Sequence, residues 1–300
     1  MVASNRSKTM LQKVASMPQG YFCFIKRLLK IQQEMLILMQ STFRSLWIWT
    51  VVTLLILLWL PLLAIVRLFD RDPVLYRTGR WFRRLGAAVT RVIPSWRLQI
   101  ENADIVRNPR NPYVVVANHQ SMADIPLISR LPWEMKWIGK EELFKLPILG
   151  WMMQMAGDIP VRRGDKESGE QALREAQKVL QQKCSVMFFP EGTRSRNGQV
   201  LPFKKGAFKV AIEAQVPILP IVLDGSTDCL PKSGWKFGAP GDIRLKVLPP
   251  VSTTGLTLAD EPALRERVRQ QIIQQLAQWR ETSPESVDAT RGNKPSASTV

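Results

Sequence analysis

The stretch Tyr113-Val-Val-Val-Ala-Asn-His-Gln-Ser-Met-Ala-Asp124 carries the clearest structural signal in this 300-residue chain. Its first five residues are a short Val-rich run typical of a buried strand. The residues from Asp124 to about 130 follow a helical pattern, with Pro126 in the opening turn. A buried strand that leads directly into a helix is the repeating unit of α/β domains. The stretch therefore predicts an α/β fold around it.

The same alternation of strand and helix continues on both sides of this stretch. It predicts an α/β domain with a central, mostly parallel mixed sheet and helices on both of its faces. The other predicted strands cover 97–101, 136–138, 159–162, 185–189, 218–223 and 243–248, and the other helices cover 141–155, 166–182, 205–214 and 260–280.

Residues 46–66, LWIWTVVTLLILLWLPLLAIV, contain no charged side chain over 21 positions. About 20 apolar residues in a helix cross the hydrocarbon core of a bilayer. The run lies too far from Met1 for a removable signal peptide, and its terminal Trp residues and flanking Arg residues disfavour a buried core helix. We therefore predict a membrane-anchoring region over 1–96, a catalytic domain over 97–281 and a disordered Ser/Thr/Pro/Gly-rich tail over 282–300.

Two arrangements of the anchor in the membrane are compatible with the sequence. Basic residues flank the apolar run on both sides, residues 21–43 are also amphipathic, and Pro61 interrupts the run. These features favour a pair of helices that dips into one leaflet, with both ends on the same side of the membrane. The alternative is a single helix that crosses the membrane. Residues 74–92 form a basic amphipathic pattern, which predicts a helix in the headgroup layer.

Composition excludes several classes of function. The 42 Lys and Arg against 25 Asp and Glu give a net charge of +17, but 12 of these excess charges flank the apolar run, so we expect membrane lipids and not nucleic acid as partners. The three cysteines form no C-x-x-C pair, which indicates a reducing compartment and no cysteine-built metal site. His119 is the single histidine, so no metal site is expected and any His-dependent catalysis must use it.

His119 and Asp124 can meet if His119 lies in the loop after the strand and Asp124 in the first helical turn. A carboxylate bonded to one ring nitrogen fixes the tautomer and leaves the other nitrogen free as a base. On spacing alone, the simpler alternative is that His119 satisfies the loop backbone and Asp124 caps the helix.

Four short sequence blocks favour a catalytic role for His119 and Asp124. They are Asn118-His119-x4-Asp124, Gly157-Asp158-Ile159-Pro160-Val161-Arg162-Arg163, Phe189-Pro190-Glu191-Gly192-Thr193-Arg194-Ser195 and Val216-Pro217-Ile218-Leu219-Pro220-Ile221. In these blocks, across about 97–250, the chain resembles the membrane-bound 1-acylglycerol-3-phosphate O-acyltransferases of the glycerolipid acyltransferase family. Pro160 departs from the family pattern, in which an aromatic residue is frequent. Gln120 and Ser121 resemble the lysophosphatidate branch.

The resemblance implies acyl transfer from a thioester, either acyl-CoA or acyl-carrier protein as co-substrate, to the sn-2 hydroxyl of 1-acyl-glycerol-3-phosphate, with no cofactor. It implies His119 as the general base and Asp124 as its orienting carboxylate. It assigns substrate and phosphate binding to Arg163, Glu191, Gly192, Thr193, Arg194 and Lys205. For Glu191, pairing with Arg194, contact with a glycerol hydroxyl and purely structural orientation stay open. Lys204 is an alternative to Lys205 at the start of the helix that follows.

Three rival functions remain. Another lyso-lipid could be the acceptor. A serine hydrolase is disfavoured because the chain has no G-x-S-x-G motif, and a non-catalytic lipid-binding protein would not need His119. We expect the catalytic domain on the cytoplasmic face of a membrane, which in a bacterium is the inner membrane. The sequence carries no signal of oligomeric state.

Overall fold

A seven-stranded sheet forms the centre of the computed structural model, which describes residues 19–93, 96–230, 234–238 and 241–290. The side chains of residues 19–26 and 37 are outside this description. The strands are β1 (Trp96–Glu101), β2 (Val114–Ala117), β3 (Met135–Lys140), β4 (Ile159–Val161), β5 (Ser185–Phe188), β6 (Ile218–Asp224) and β7 (Gly241–Val247).

The strand order is β1-β7-β6-β2-β5-β3-β4. All neighbouring strands are parallel except β6 and β7, which are antiparallel. The predicted mostly parallel mixed sheet is confirmed. β2 lies in the middle of the sheet, so the loop that follows it is surrounded by the ends of other strands.

Helices cover both faces of the sheet. They are α1 (Gln19–Phe69), α2 (Tyr76–Arg91), α3 (Asp124–Ile128), α4 (Glu141–Phe144), α5 (Leu149–Met155), α6 (Lys166–Gln181), α7 (Gly206–Ala214), α8 (Ser226–Cys229), α9 (Glu261–Trp279) and α10 (Pro284–Val287). Two 3-10 helices cover Ala103–Ile105 and Leu258–Asp260.

Alternate residues of β2 point into two separate cores, as the strand period of two requires. Val114 and Val116 pack on the face covered by α6, α7 and α9. Val115 and Ala117 pack on the opposite face, against Leu127 and other residues of that core. All four residues of β2 are fully buried, which explains the continuous apolar run in the sequence.

The chain divides into two units, residues 1–47 and residues 48–300. In the first unit, the described part of α1 exposes Leu28, Leu29, Met35 and Leu36. In the second unit, α1 buries Ile48, Val52 and Leu63 and exposes other apolar side chains, such as Leu58. The most apolar window within residues 27–69 has a mean hydropathy of 2.6. By length and composition, this part of α1 is sufficient to cross a membrane.

The predicted pair of helices is wrong, because α1 is one continuous helix from Gln19 to Phe69. The hydroxyl groups of Thr42 and Ser45, where a break was expected, donate to backbone carbonyls one turn earlier, at 2.8 and 2.7 Å. Pro61 lies within the helix and does not end it.

One face of α2, the helix at 74–92 that was predicted for the headgroup layer, packs on protein; its headgroup position stays a prediction. The guanidinium of Arg83 is buried and forms a short ion pair with Asp158. Gly79 lies so close to Glu134 that a Cβ there would be 2.0 Å from Oε1. This face of α2 therefore packs on the globular domain, while Arg77 and Arg84 on the other face are exposed.

The single helix predicted over 141–155 is divided into α4 and α5. Pro147 has no N–H group for a helical hydrogen bond. Ile148 has φ 66° and ψ −65°, and the N–H of Leu149 donates to the Pro147 carbonyl at 2.7 Å. These residues form a tight turn between the two short helices.

The predicted disordered tail over 282–300 is wrong for residues 282–290. This segment forms α10, and its Asp288 is buried in a short ion pair with the buried Arg269. Val200 pairs with the segment through a 2.8 Å hydrogen bond from its N–H to the Val287 carbonyl. Residues 291–300 lie outside the described residues, and the proposed boundary at residue 97 stays a prediction.

Candidate active site

The exit of the chain from β2 is fixed by Asn118. Its side-chain amide donates to the Leu223 carbonyl at 2.8 Å, and its side-chain oxygen accepts the Leu223 N–H at 2.9 Å. These two bonds attach the end of β2 to β6. They hold the following residue, His119, at the carboxyl edge of the sheet, where α/β proteins place their sites.

His119 and Asp124 lie together in the loop after β2. The ring Nδ1 of His119 is 2.8 Å from Asp124 Oδ2, and the two residues are 5% and 0% exposed. The same Oδ2 accepts the N–H groups of Gln120 and Ser121 at 2.7 and 2.9 Å. Three hydrogen-bond donors around one oxygen stabilise the carboxylate form of Asp124. Because a carboxylate can only accept, the ring proton of a neutral His119 lies on Nδ1, and Nε2 carries the lone pair that can act as a base.

The Nε2 atom of His119 has no hydrogen-bond partner within residues 19–93, 96–230, 234–238 and 241–290. The second carboxylate oxygen of Asp124, Oδ1, is buried and has no partner among the same residues. One ring nitrogen is thus held by a carboxylate and the other is left for a substrate.

Phe189, the first residue after β5, stacks on the His119 ring. The two ring centroids are 3.9 Å apart and the planes are inclined by 15°. Trp137 of β3 lies next to Phe189, with centroids 5.9 Å apart. The sequence analysis gave Phe189 no role, because a stack between the ends of two strands has no signature in residue spacing.

Glu191 orients the loop after β2 from the loop after β5. Its Oε1 accepts the His119 N–H at 2.7 Å and its Oε2 accepts the Leu201 N–H at 3.1 Å. Burial raises the pKa of Glu191 to about 8, although the two backbone donors lower it. Both carboxylate oxygens of Glu191 thus accept backbone N–H groups. Of the three alternatives for Glu191, these contacts fit structural orientation.

Gly192 lies in a tight part of the same loop. Its φ of +71° is in the left-handed region, and a Cβ there would be 2.7 Å from the ammonium nitrogen of Lys204. The Lys204 N–H also donates to the Pro190 carbonyl at 2.8 Å. Lys204 therefore lies along this loop, while Lys205 is exposed one residue before α7.

The remaining predicted binding residues differ in their distance from His119. Thr193 is exposed and Arg194 half-buried in the loop that contains Glu191. Arg163 is exposed after β4, three strands away from β2, or roughly 14 Å at about 4.8 Å per strand. The structure does not bring Arg163 to the His119 ring. Lys140, at the end of β3, forms a 3.0 Å ion pair with Glu142.

Comparison with known proteins shows what this chain is similar to. The family model described as Acyltransferase matches residues 97–224 of the chain. Over 167 residues it is 44% identical to mouse 1-acyl-sn-glycerol-3-phosphate acyltransferase alpha, an alignment that covers 55% of this chain and 59% of the mouse protein. The chain thus spans less than two thirds of that relative.

Two further relatives come from a plant and a bacterium. The chain is 35% identical over 188 residues to the chloroplastic 1-acyl-sn-glycerol-3-phosphate acyltransferase BAT2 of Brassica napus, covering 62% of this chain and 53% of that protein. The crystal structure of PlsC from Thermotoga maritima, a 1-acyl-sn-glycerophosphate acyltransferase, has a TM-score of 0.69 at 27% identity and covers 82% of this chain and 98% of that one. The resemblance inferred from the four sequence blocks is confirmed.

The backbone N–H groups around the His119 ring are largely bonded within the protein. In the loop after β2, the bonded N–H groups are those of His119, Gln120, Ser121, Ala123 and Asp124. In the loop after β5, the N–H groups of Gly192 and Ser195 donate to the Phe189 and His119 carbonyls at 3.0 and 2.7 Å. The Ser195 bond and the Glu191 carboxylate join the two loops at His119.

Proposed function

We propose that this acyltransferase transfers an acyl chain from a thioester to the sn-2 hydroxyl of 1-acyl-glycerol-3-phosphate and so makes phosphatidic acid. The observation that carries the proposal is the His119–Asp124 pair, with Nδ1 bonded to a carboxylate and Nε2 without a partner among the described residues. The names of the relatives support the choice of acceptor.

The chemistry begins with proton transfer to His119. Nε2 takes the proton of the sn-2 hydroxyl while the hydroxyl oxygen attacks the thioester carbonyl carbon, a form of assistance worth roughly 10²–10⁴-fold in rate. Asp124 holds the ring and stabilises its protonated form. When the tetrahedral intermediate collapses, the C–S bond breaks and the sulfur leaves as a thiolate, for which a thiol pKa near 8.5 is favourable. The imidazolium then returns its proton to that sulfur.

The negative oxygen of the tetrahedral intermediate needs N–H donors. We assign them to the loop at 118–124 or the loop at 191–195, which are joined at His119 by the Glu191 carboxylate and the Ser195 N–H. Such donors typically contribute 10²–10³-fold to turnover. Gly192 suits the loop at 191–195 since its φ of +71° is easily adopted only by glycine.

The acceptor phosphate needs cations. Arg194 and Lys204 lie in or along the loop after β5, and Lys205 precedes the N-terminus of α7. A guanidinium can bind phosphate oxygens in a bidentate way. We assign the phosphate to Arg194 with Lys204 or Lys205, and we place Arg163 at the margin of the site.

The donor thioester is acyl-CoA or acyl-carrier protein, and we place the catalytic domain on the cytoplasmic face of the membrane, where such donors and reduced cysteines occur. A second candidate acceptor is another lysophospholipid. The cations of the loop after β5 favour a phosphomonoester over a zwitterionic headgroup, because a phosphomonoester carries the larger negative charge.

The test is thiol release from acyl-CoA by the purified full-length enzyme with lysophosphatidate, glycerol-3-phosphate and zwitterionic lysolipids. We expect the highest kcat/KM with lysophosphatidate, no release without an acceptor, and no turnover by His119→Ala at an unchanged melting temperature. Thiol release without an acceptor would indicate a hydrolase instead. Turnover by His119→Ala close to the wild-type value would refute His119 as the base.

A further inference from the structure

The large exposed apolar side chains outside α1 are not scattered over the domain. Among the described residues they are Met122 (40% exposed), Leu146 (45%), Trp151 (54%), Trp235 (46%) and Leu258 (51%). The first four follow β2, β3 and β6, whose carboxyl ends lie at one edge of the sheet. Leu258 follows the antiparallel β7 and lies at the other edge. Four of the five thus surround the edge that carries His119.

We call Met122, Leu146, Trp151 and Trp235 the apolar rim. At Trp235, the position of the rim is fixed by Phe237, two residues later in the chain. Phe237 is 4% exposed and packs between Trp49 and Trp96, with ring centroids 5.4 and 5.9 Å away.

The backbone of Trp235 is fixed as well. Trp49 of α1 donates its indole N–H to the Trp235 carbonyl at 2.8 Å. The backbone of Trp235 is therefore held by Trp49, while its indole is exposed.

The Leu146 and Trp151 side is held by the turn between α4 and α5. Ile148, a β-branched residue, adopts φ 66°, which costs about 1–3 kcal/mol. Its side chain packs inward against the cluster of Leu63, Leu85 and Met152. The turn leaves Leu146 and Trp151 outside, so backbone strain and apolar exposure coincide at this point.

Cations stand beside the apolar rim. The Lys236 ammonium is 5.8 Å from the centroid of the Trp235 ring. The Lys145 side chain is 67% exposed next to Leu146, where its ammonium is 3.0 Å from Glu141, and Arg163 is exposed after β4 at the same edge. Tryptophan with Lys or Arg is the combination that membrane interfaces select, because the ring lies at headgroup depth while the cation meets lipid phosphate.

We propose that the apolar rim is a membrane-docking surface of the globular domain itself, with an anionic phospholipid bilayer as its partner. Trp235 and Trp151 enter the headgroup layer, while Lys145, Arg163 and Lys236 contact phosphate groups. The edge of the sheet that carries His119 then faces the lipid surface. The rim is distinct from α1 as an anchor, and its docking does not depend on the proposed reaction.

The test uses the full-length protein in liposomes of phosphatidylglycerol and phosphatidylcholine, with a photoreactive residue at single positions. The variants are Trp235→p-benzoylphenylalanine and Trp151→p-benzoylphenylalanine. The matched control is Leu258→p-benzoylphenylalanine, which is similarly exposed at the opposite edge. All three keep α1, so membrane attachment through α1 is the same in each. After illumination, mass spectrometry measures the fraction of protein that carries a covalently attached phospholipid.

We expect at least a fivefold higher lipid-attached fraction at positions 235 and 151 than at 258, and a severalfold decrease in liposomes of phosphatidylcholine alone. Equal fractions at the three positions would overturn the docking surface, and equal fractions in the two kinds of liposome would overturn the anionic partner. Attachment to a second copy of the chain in place of lipid would overturn the proposal in favour of a protein interface. The measurement needs no turnover, so it stands apart from the test of the reaction, and melting temperatures check that each variant is folded.

Discussion

At the scale of single residues, one carboxylate oxygen organises the candidate site. Asp124 Oδ2 accepts the His119 ring N–H and two backbone N–H groups at once. The ring orientation and the shape of the loop are therefore set by the same atom. Spacing alone allowed Asp124 to be only a helix cap, whereas in the structure its carboxylate also contacts the ring.

Asp124→Asn keeps the shape of the side chain but replaces one oxygen with an NH₂ group. The NH₂ group can donate to Nδ1, which moves the ring proton to Nε2 and removes the base. We expect kcat to fall by about 10³–10⁴-fold, as in other His–carboxylate pairs, at a melting temperature within a few degrees of wild type. Steady-state thiol release measures the effect. A kcat near that of wild type would assign Asp124 a capping role only.

Glu191 predicts a dependence of stability on pH. Its pKa is raised by burial to about 8, above the ordinary value near 4.3 for glutamate. Between these values the folded state binds more protons than the unfolded state, so the free energy of unfolding falls as the pH rises from about 4.5 to about 8. Glu191→Gln removes this contribution.

We expect the difference in melting temperature between wild type and Glu191→Gln to change from pH 5 to pH 8, with wild type losing more stability over that interval. Thermal unfolding in detergent at the two pH values measures it. Parallel pH profiles of the two proteins would contradict a raised pKa.

At the scale of the elements, the strands and most helices could be predicted because their signals are local. Runs of β-branched residues and the helical period appear within ten to twenty positions. What could not be predicted depends on distant partners. The face of α2 that contains Arg83 is basic in sequence, but its partner Asp158 lies 75 positions away. Charge alone therefore suggested a lipid surface where the structure has a buried ion pair.

Arg83→Ala tests this buried pair. The change leaves Asp158 without its cation, while Glu134, another buried carboxyl near Arg83 with a pKa raised by burial, loses a neighbouring positive charge. Breaking a buried pair by removing one partner costs about 3–5 kcal/mol. Denaturant unfolding in detergent should show this loss. The neighbouring Arg84→Ala, on the exposed face of α2, should change the free energy of unfolding by less than about 0.5 kcal/mol.

Two glycines allow a paired comparison of loop and helix. Gly192→Ala places a side chain at φ +71° and against Lys204, so we expect a loss of about 1–2 kcal/mol. Gly169→Ala, inside α6 with nothing within 4 Å of the new methyl group, should gain about 0.5–1 kcal/mol. Melting temperatures of both variants measure the two signs. A stabilising Gly192→Ala would mean that the loop tolerates other conformations.

At the scale of the whole molecule, composition and charge distribution predicted the division into an apolar N-terminal helix and an α/β domain. The order of the strands could not be predicted, because pairing between β1 and β7 joins residues about 145 positions apart, with no local trace. The same holds for Arg269 and Asp288, whose ion pair makes residues 282–290 part of the fold.

The cysteines report on the integrity of the whole fold. Cys184 and Cys229 are both 0% exposed, and burial raises the pKa of each thiol to about 12. Since the thiolate is the reactive form, we expect neither to react with iodoacetamide at pH 7.5 in the folded protein and both to react after unfolding. Mass spectrometry of the digested protein counts the labelled sites. Rapid labelling of Cys184 in the folded protein would contradict the packing around β5.

The pairing of Val200 with Val287 and Asp288 has a consequence for biosynthesis. The loop that carries Glu191 and Leu201 is supported by residues translated almost ninety codons later, and β1 must wait for β7. α1 has therefore been translated well before either pairing can form. We expect the loop around Glu191 to reach its final conformation only after residues 287–288 have left the ribosome.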